Sequence, residues 1–329
     1  MKAVSLFSGG LDSILAVKII QNQGIDVTAF HFVLPFNYIK NKKQINVVKT
    51  AQELNIPIEI IPGEKDYIEI VKSPKYGYGK NMNPCIDCKI FIMKKAFSFM
   101  KKIGASFLFS GEVIGQRPMS QRKKVLEMIE KESGADGFLL RPLSAKLLPH
   151  TIPEEKGWVK REYLCDFEGR SRKPQIKLAK KLGVMEYPSP AGGCLLTDFD
   201  FSIRLKDAFK HNEDTIPELT LLNFGRHFRL ESGAKLIVGR DEKENQIIEK
   251  FADDNDLLIE GIGFGSPLAL LKNSNNPEDV DISASICLRY SKKREEKSAK
   301  VAVRTKSGDI SEKEISPMDK ESVDSLLIH

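Results

Sequence analysis

Along its first third the chain alternates two hydrophobic rhythms. Ala3–Phe7 is a short apolar run that stops at Ser8-Gly9-Gly10, and Leu11–Gln23 then places Leu11, Ile14, Leu15, Val17, Ile19 and Ile20 at helical spacing. Val27–Val33, with its β-branched and aromatic side chains, predicts a second strand. Lys43–Leu54 predicts a second helix, and Ile58–Ile61, entered just after Pro57, a third strand. Ile86–Ile103 predicts a long helix, and Phe107–Ser110 a strand stopped by Gly111. Strands separated by helices of about ten residues or more imply βαβ units and a parallel sheet; right-handed crossovers make that sheet doubly wound, with helices on both faces. Ligands of such sheets gather beyond the C-terminal ends of the strands, where Ser8-Gly9-Gly10, His31 and Gly111-Glu112 all fall.

The second half changes character. Glu168–Gly183 (EGRSRKPQIKLAKKLG) is basic and ends in a predicted helix, Pro174–Leu182, closed by Gly183. Tyr187–Gly193 reads as a Pro/Gly hinge. Beyond about residue 215 the runs Leu236–Val238, Leu257–Ile259, Leu268–Leu271, Ser285–Leu288 and Lys300–Val303 predict short strands of a small α+β domain. The polar Ser307–His329 is expected to be partly disordered. The expected organisation is an α/β domain over 1–185, a linker over 186–214 and the α+β domain over 215–329.

A length of 329 residues agrees with about two domains. No apolar run reaches the ~18 residues of a membrane span, and no charged-then-apolar leader precedes the first strand. A cytoplasmic protein without a membrane partner is therefore expected. A net charge of +6 permits a nucleic-acid partner without demanding one, since a lysine-rich solvated surface accounts for it equally. The five cysteines of such a chain point to metal or redox chemistry rather than to a disulfide framework.

Two segments carry candidate chemistry. Ser8-Gly9-Gly10-Leu11-Asp12-Ser13 joins a predicted strand to a predicted helix. Adjacent glycines let the backbone turn tightly against a ligand, and loop N–H groups at a helix start form an anion site. Ser8 and Ser13 add hydroxyls, and Asp12 is placed to position Mg²⁺ or the loop itself. The string lacks the GK[ST] ending of a Walker loop. Asn83-Pro84-Cys85-Ile86-Asp87-Cys88 puts a C-x-x-C at a helix entrance, where the helix N-terminus is expected to lower thiol pKa. Cys194 lies in Pro190-Ala191-Gly192-Gly193-Cys194, a turn suited to approaching another site. From the residues alone this trio fits a zinc site lacking a local fourth ligand, a Cys85–Cys88 redox disulfide, inert thiols or a metal cluster; His150 and His211 have no ligand spacing. Cys165 and Cys287 have no motif around them and read as buried small hydrophobes.

The SGGLDS string resembles the loop of the PP-loop ATP pyrophosphatases, which cleave ATP between the α and β phosphates, adenylate a carbonyl oxygen and let a nucleophile displace AMP. The resemblance implies a Rossmann-like fold, ATP and Mg²⁺. It places Ser8, Gly9, Gly10, Leu11, Asp12 and Ser13 on the pyrophosphate, with His31, Gly111 and Gln116 completing the nucleotide site. SGGLDS…NQGIDVTAFHF looks like the first βαβ unit of tRNA thiouridine synthetases. Gly111-Glu112-Val113-Ile114-Gly115-Gln116 followed by Ser120-Gln121, and Leu140-Arg141-Pro142-Leu143, resemble segments of the 4-thiouridine synthetase family (ThiI). Asn83-Pro84 with Cys88 resembles a segment of the 2-thiouridylase family (MnmA). This resemblance covers about residues 1–195 and implies catalytic roles for Asp12, Cys85, Cys88 and Cys194. Some members hold a [4Fe–4S] cluster on three cysteines and pass sulfide from its open iron; others use a persulfide and disulfide pair. The C-x-x-C with a distant third cysteine favours the cluster, ligated by Cys85, Cys88 and Cys194. No RNA-binding domain is read ahead of the loop and no rhodanese-like domain after it, so the expected sulfur donor is free sulfide or a cysteine desulfurase. A homodimer is left open.

Leu236–Asn245 (LIVGRDEKEN) and Cys287–Arg294 (CLRYSKKR), followed by Lys300-Val301-Ala302-Val303, resemble the RNA-binding NFACT-R module over roughly residues 220–305. That implies RNA contacts by Arg226, Arg240, Arg289, Lys292, Lys293 and Arg294. His227 and Arg229 add phosphate-contacting groups, and Tyr290 and Phe228 add faces for stacking; a solvated charged face is the plain alternative. Arg170, Arg172 and Lys173 form a separate basic cluster suited to ATP or RNA phosphates. The function implied is ATP-dependent thiolation of a tRNA uridine at C2 or C4. One alternative is a PP-loop enzyme for a small nucleobase-like substrate, like the 7-cyano-7-deazaguanine synthases, whose late four-cysteine zinc site has no match here. A non-catalytic RNA-binding protein is the other, and the intact loop and placed cysteines speak against it.

Overall fold

The computed structural model describes residues 1–36, 42–188 and 193–329 and divides into two compact units, Met1–Thr197 and Asp198–His329. Residues 189–192, which include most of the expected hinge before Cys194, lie outside the described residues.

The first unit runs β1 (Lys2–Leu6), α1 (Leu11–Gln21), β2 (Asp26–Val33), α2 (Lys42–Glu53), β3 (Ile58–Pro62), α3 (Lys65–Lys72), α4 (Cys85–Lys102), β4 (Phe107–Ser110), α5 (Lys123–Ser133), β5 (Leu139–Leu140), α6 (Ile152–Glu155) and α7 (Lys173–Lys181). Its sheet has the order β3-β2-β1-β4-β5 with every pair parallel. Side-chain alternation sorts the two faces. Ala3, Phe107 and Phe109 pack with Leu11, Ile14, Leu15 and Ile20 of α1, whereas Val4, Phe30 and Leu108 pack with Ile86, Ile90, Met93 and Ala96 of α4. Both faces are covered, which is why the strands read as continuous apolar runs. The strand order reverses between β1 and β4, so the loops after these two strands flank the crevice at the switch point.

The second unit runs α8 (Phe199–Lys210), α9 (Ile216–Leu221), β6 (Arg226–Arg229), β7 (Lys235–Val238), α10 (Glu242–Lys250), β8 (Leu257–Gly261), β9 (Ala269–Lys272), α11 (Pro277–Arg289), β10 (Ala299–Thr305), β11 (Ile310–Ile315) and α12 (Lys320–Leu326). Its sheet is antiparallel, ordered β11-β10-β8-β9-β7-β6.

Three expectations change here. The stretch read as a linker contains α8, started by Asp198, whose side chain accepts from Phe201 N at 2.9 Å. Ser285–Leu288, expected as a strand, lies inside α11. Asn276 caps that helix, Pro277 opens it, and buried Val280, Ala284, Cys287 and Leu288 follow the helical period. A short apolar run does not by itself distinguish the two. Ser307–His329, expected to be partly disordered, forms β11 and α12, with Val323 buried in the core and Asp319 capping the helix. Among the described residues no helix is long and apolar enough to cross a membrane.

Candidate functional site

The chain leaves β1 through Phe7, whose N–H donates to Phe30 O at 2.9 Å. It turns at Gly9 (φ +70°) and enters α1 with Gly10 as a cap that has no side-chain hydrogen bond, leaving the first amides of the helix open. Ser13 Oγ donates to Gly10 O at 2.8 Å and Ser8 Oγ to Ser13 Oγ at 3.3 Å, which holds both hydroxyls inside the turn. His31, at the end of β2, contacts Phe7 O through Nδ1 at 2.8 Å and braces the chain leading into the loop.

The loop after β4 lies against this turn. A Cβ on Gly111 would stand 2.5 Å from Asp12 C and O, so only glycine permits the approach. Gln116 Nε2 donates to Asp12 Oδ2 at 3.0 Å, while Asp12 Oδ1 is buried without a partner among the described residues. Burial raises the Asp12 carboxyl; the Gln116 bond and the charges of Arg172 and Arg117 oppose the rise. Those arginines arrive on two joined segments: Ile114 bridges Glu168, and Gly169 N donates to Ile114 O at 2.7 Å. The turn, a carboxylate with one open oxygen and two guanidinium groups make a site for a polyphosphate and its counter-ion.

Cys85 is the first residue of α4, and Cys88 lies one turn on. Asp87 accepts from Lys75 N at 3.0 Å and Tyr76 N at 3.1 Å, fixing the preceding loop. Tyr67 Oη donates to Cys88 Sγ at 3.1 Å; its ring is fully buried among Phe32, Phe36 and Phe91. Cys194 is brought in by two bonds: Met82 N donates to Leu196 O at 3.1 Å and Asn81 Nδ2 to Thr197 O at 2.8 Å. The three thiols lie near enough that Cys194 and Cys85 both act on Cys88 and on Tyr67. The expected lowering of thiol pKa does not hold at Cys88. Burial pushes it up to about 12, and the bond from Tyr67 and the charge of Lys89 offset this only in part.

As donors, three converging thiols suit a cluster with one open corner. As placed, no group of three or more Cys, His, Asp or Glu among the described residues is arranged to hold a metal ion, so ligation requires the sulfurs to close up and Cys88 to leave Tyr67. His150 and His211 do not join them: His150 lines a small cavity with Arg141 and Glu154, and His211 bonds Asp207 O on its own helix. Cys287 is fully buried and pushed to about 12 by burial, as befits an inert thiol; half-buried Cys165 is pushed to about 11.

A buried ion network joins the cysteine helix to the nucleotide loop. Lys89 donates to Glu112 and to Ser120 O at 3.3 Å; Arg141 donates from Nε to Glu112 at 3.1 Å and from Nη1 to Glu130 at 2.7 Å. Burial opposes ionisation of Glu112, but Lys89 and Arg141 overcome it and hold the carboxyl at about 2. The segments carrying Glu112, Ser120 and Arg141, far apart in sequence, therefore meet at one centre. Tyr67, Lys89 and Arg117 were not anticipated; Lys89 alone had a signal, as the cation next to Cys88.

In the second unit the expected RNA-contacting residues divide. Arg226 lies over the Tyr290 ring at 4.4 Å, and the charges of Asp324 and Arg289 act in opposite senses on its hydroxyl. Lys292 is exposed. Arg240 is held by Glu244 at 2.6 Å, Lys293 by Glu296 at 3.2 Å and Arg294 by Glu295 at 3.4 Å. Three expectations are corrected. Arg229 is clamped by Asp207 at 2.5 Å and Glu213 at 2.6 Å. His227 is buried, with Nε2 on Phe224 O, and burial holds its imidazole well below the usual range. Phe228 is fully buried in the core and offers no face for stacking.

Residues 1–162 match the family described as tRNA methyl transferase HUP domain, and residues 225–327 the one described as NFACT protein RNA binding domain. A tRNA-specific 2-thiouridylase MnmA of Listeria monocytogenes serotype 4b (strain CLIP80459) is 21% identical over 328 residues, covering 88% of this chain and 82% of its own. The tRNA-specific 2-thiouridylase MnmA 2 of Clostridium botulinum (strain Hall / ATCC 3502 / NCTC 13319 / Type A) is 26% identical over 153 residues, covering 44% of this chain and 43% of its own. A solved 4-thiouridine synthetase–RNA complex with bound ATP aligns with 56% of this chain and 51% of that one, at 21% identity and a TM-score of 0.36. The N-terminal unit thus resembles PP-loop enzymes of the tRNA thiouridine synthetase type, and the C-terminal unit the NFACT-R module.

Proposed function

From an N-terminal unit that matches the tRNA methyl transferase HUP domain and a C-terminal unit that matches the NFACT protein RNA binding domain, we propose that this chain is an ATP-dependent tRNA thiolation enzyme. The observation that carries the reading is the joining of two half-sites. Gly111 packs on the start of α1 beside the phosphate turn, and the next residue, Glu112, holds Lys89 beside Cys88.

ATP lies with its phosphates on the open amides at the start of α1, where Asp12 would hold Mg²⁺ and the ion would neutralise phosphate charge. A uracil carbonyl oxygen attacks the α-phosphorus and pyrophosphate leaves, giving an O-adenylated base. Arg117 and Arg172 offset the charge that builds on the departing pyrophosphate, since phosphoryl transfer depends on positioning and charge neutralisation. Sulfur from the Cys85–Cys88–Cys194 site then bonds to the activated carbon and AMP departs with the carbonyl oxygen. A [4Fe–4S] cluster held by these cysteines would supply a place where sulfide waits for transfer; the C-x-x-C with a distant third cysteine is the feature that supports this form. The resemblance to both thiouridine families leaves C2 and C4 as the two positions.

The test is anaerobic incubation of the full chain with ATP, sulfide and unmodified tRNA, followed by retardation on mercury-containing gels and nucleoside mass spectrometry. Thiouridine formed with AMP, lost in Cys88→Ala and in Cys194→Ala, is the expected result. No thiolated nucleoside under any sulfur source sinks the proposal. Iron and sulfide analysis of the same anaerobic preparation decides the form: about four irons per chain, absent in both variants, means the cluster. An iron-free chain that is active only with a persulfide-delivering donor, such as a cysteine desulfurase with cysteine, means a persulfide on one cysteine, whose outer sulfur passes to the base as a disulfide forms with a second.

A further inference from the structure

The loop between β8 and β9, Gly261-Ile262-Gly263-Phe264-Gly265-Ser266, was not singled out by any sequence motif. Its ends are tied down. Gly261 N donates to Ser266 Oγ at 2.7 Å, Ser266 Oγ donates to Pro267 O at 2.8 Å, and Ile262 N donates to Lys300 O at 3.1 Å. The Phe264 ring folds back over Gly261. Between these anchors Gly263 takes φ +78° and stands exposed, as does Gly265. Among the described residues no protein acceptor takes the amides of Gly263, Phe264 or Gly265. Successive unpaired N–H groups around a left-handed residue form a concave donor set of the kind that holds an oxyanion.

A cation is fixed beside that set. Lys292 N donates to Gly265 O at 2.9 Å, and the stem of Lys292 lies over Gly265, where an added Cβ would meet its Cε at 3.1 Å. The stem is thus packed while the ammonium is exposed, and no carboxylate pairs with it among the described residues, in contrast to Lys293 and Arg294. Two residues back, Tyr290 carries Arg226 on its ring and lies within the fields of Asp324 and Arg289. The surface therefore combines backbone donors, an exposed ammonium on a stem laid along Gly265, two arginines and an aromatic ring.

We infer that the Gly261–Ser266 loop and Lys292 form a phosphate-binding nest that grips one backbone phosphate of the bound RNA, with Tyr290 and Arg226 beside it for the adjoining base. The inference rests on the RNA-binding reading of this unit and adds the atoms that make the contact. Backbone N–H groups and a single ammonium read no base, so the contact fixes register rather than sequence.

The experiment measures affinity of the full chain for a fluorescent, unmodified tRNA transcript between about 50 and 200 mM salt. It compares wild type with Lys292→Gln, Gly263→Ala and, as a charge-matched control on α10, Lys250→Gln. Lys292→Gln keeps most of the packed stem, so folding is preserved; Gly263→Ala strains the left-handed turn. The expected result is several-fold weaker binding by both loop variants, and for Lys292→Gln a salt slope reduced by about one, with the control unchanged. If wild type binds and Lys292→Gln keeps both affinity and slope, the nest is wrong and the RNA reading stands. If wild type does not bind tRNA, both fall. Inorganic phosphate, titrated separately by ³¹P NMR, separates the sources: saturable binding lost in Lys292→Gln, with tRNA affinity unaltered in that variant, makes the loop a site for free phosphate and overturns the RNA assignment.

Discussion

Tyr67 Oη donates a hydrogen bond to Cys88 Sγ at 3.1 Å, and the sulfur so engaged belongs to a thiol that burial pushes up to about 12. A thiol that high is protonated throughout the physiological range, and only thiolate alkylates. In the metal-free chain, modification of Cys88 by iodoacetamide should rise about tenfold per pH unit from pH 8 to 11, read by peptide mass spectrometry. A plateau near pH 9 would contradict the assignment. Tyr67→Phe, which keeps the ring and removes the donor, should slow that modification about fivefold at fixed pH, the worth of a hydrogen bond of about 1 kcal/mol.

Glu112 is predicted to dominate the acid limb of stability of the first unit. Its carboxyl is held at about 2 in the folded chain, against 4.5 ordinarily, so its contribution is fully present above pH 4.5 and disappears as pH falls towards 2. The difference corresponds to on the order of 3 kcal/mol. Glu112→Gln leaves part-buried Lys89 without its carboxylate partner and buried Arg141 with Glu130 alone. It should lower the urea midpoint at pH 7 and flatten the loss of stability between pH 4.5 and 2. An unchanged acid limb in the variant would show that other carboxylates control it.

Gly111→Ala tests the contact between the two loops. Its Cβ would press on Asp12 backbone at 2.5 Å, and neither partner is a flexible side-chain end. The expected outcome is retained helical circular dichroism with markedly weaker ATP affinity by calorimetry, because the displaced turn no longer aims its amides at the phosphates. Normal ATP binding would mean that the phosphate turn tolerates displacement.

Arg226 and Arg240 were equal candidates in the sequence and differ in the structure. Arg226 has an aromatic partner and, among the described residues, no carboxylate one, whereas Arg240 is neutralised by Glu244 at 2.6 Å. Arg226→Ala should weaken tRNA binding several-fold and reduce the salt slope by about one; Arg240→Ala should leave both nearly unchanged in filter-binding titrations. Equal losses would show that the Glu244 pair opens when RNA binds.

What the sequence reveals follows from the range of each interaction. The phosphate turn is legible because its six residues act together in one local backbone shape, and the central strands β1 and β4 are legible because strands covered on both faces read as nearly continuous apolar runs. Tyr67 is invisible: in KDYIEIVK it is one more apolar position, and only folding brings it to a cysteine 21 residues away. Arg229 misleads for the same reason, since the carboxylates that claim it lie 22 and 16 residues back. α11 is misread because three consecutive apolar positions, Ile286–Leu288, satisfy a strand as well as a helix until the Asn276-Pro277 start is weighed.

Gly111 and Glu112 are consecutive, yet one leans on the first turn of α1 and the other anchors the cation beside Cys88. Dense packing transmits displacement rather than absorbing it. Any event that moves the start of α1, such as the arrival or departure of pyrophosphate, moves a peptide whose other end sets the electrostatic surroundings of a sulfur. In the proposed reaction a single peptide link would therefore carry a displacement at the phosphate turn to the cation beside the sulfur.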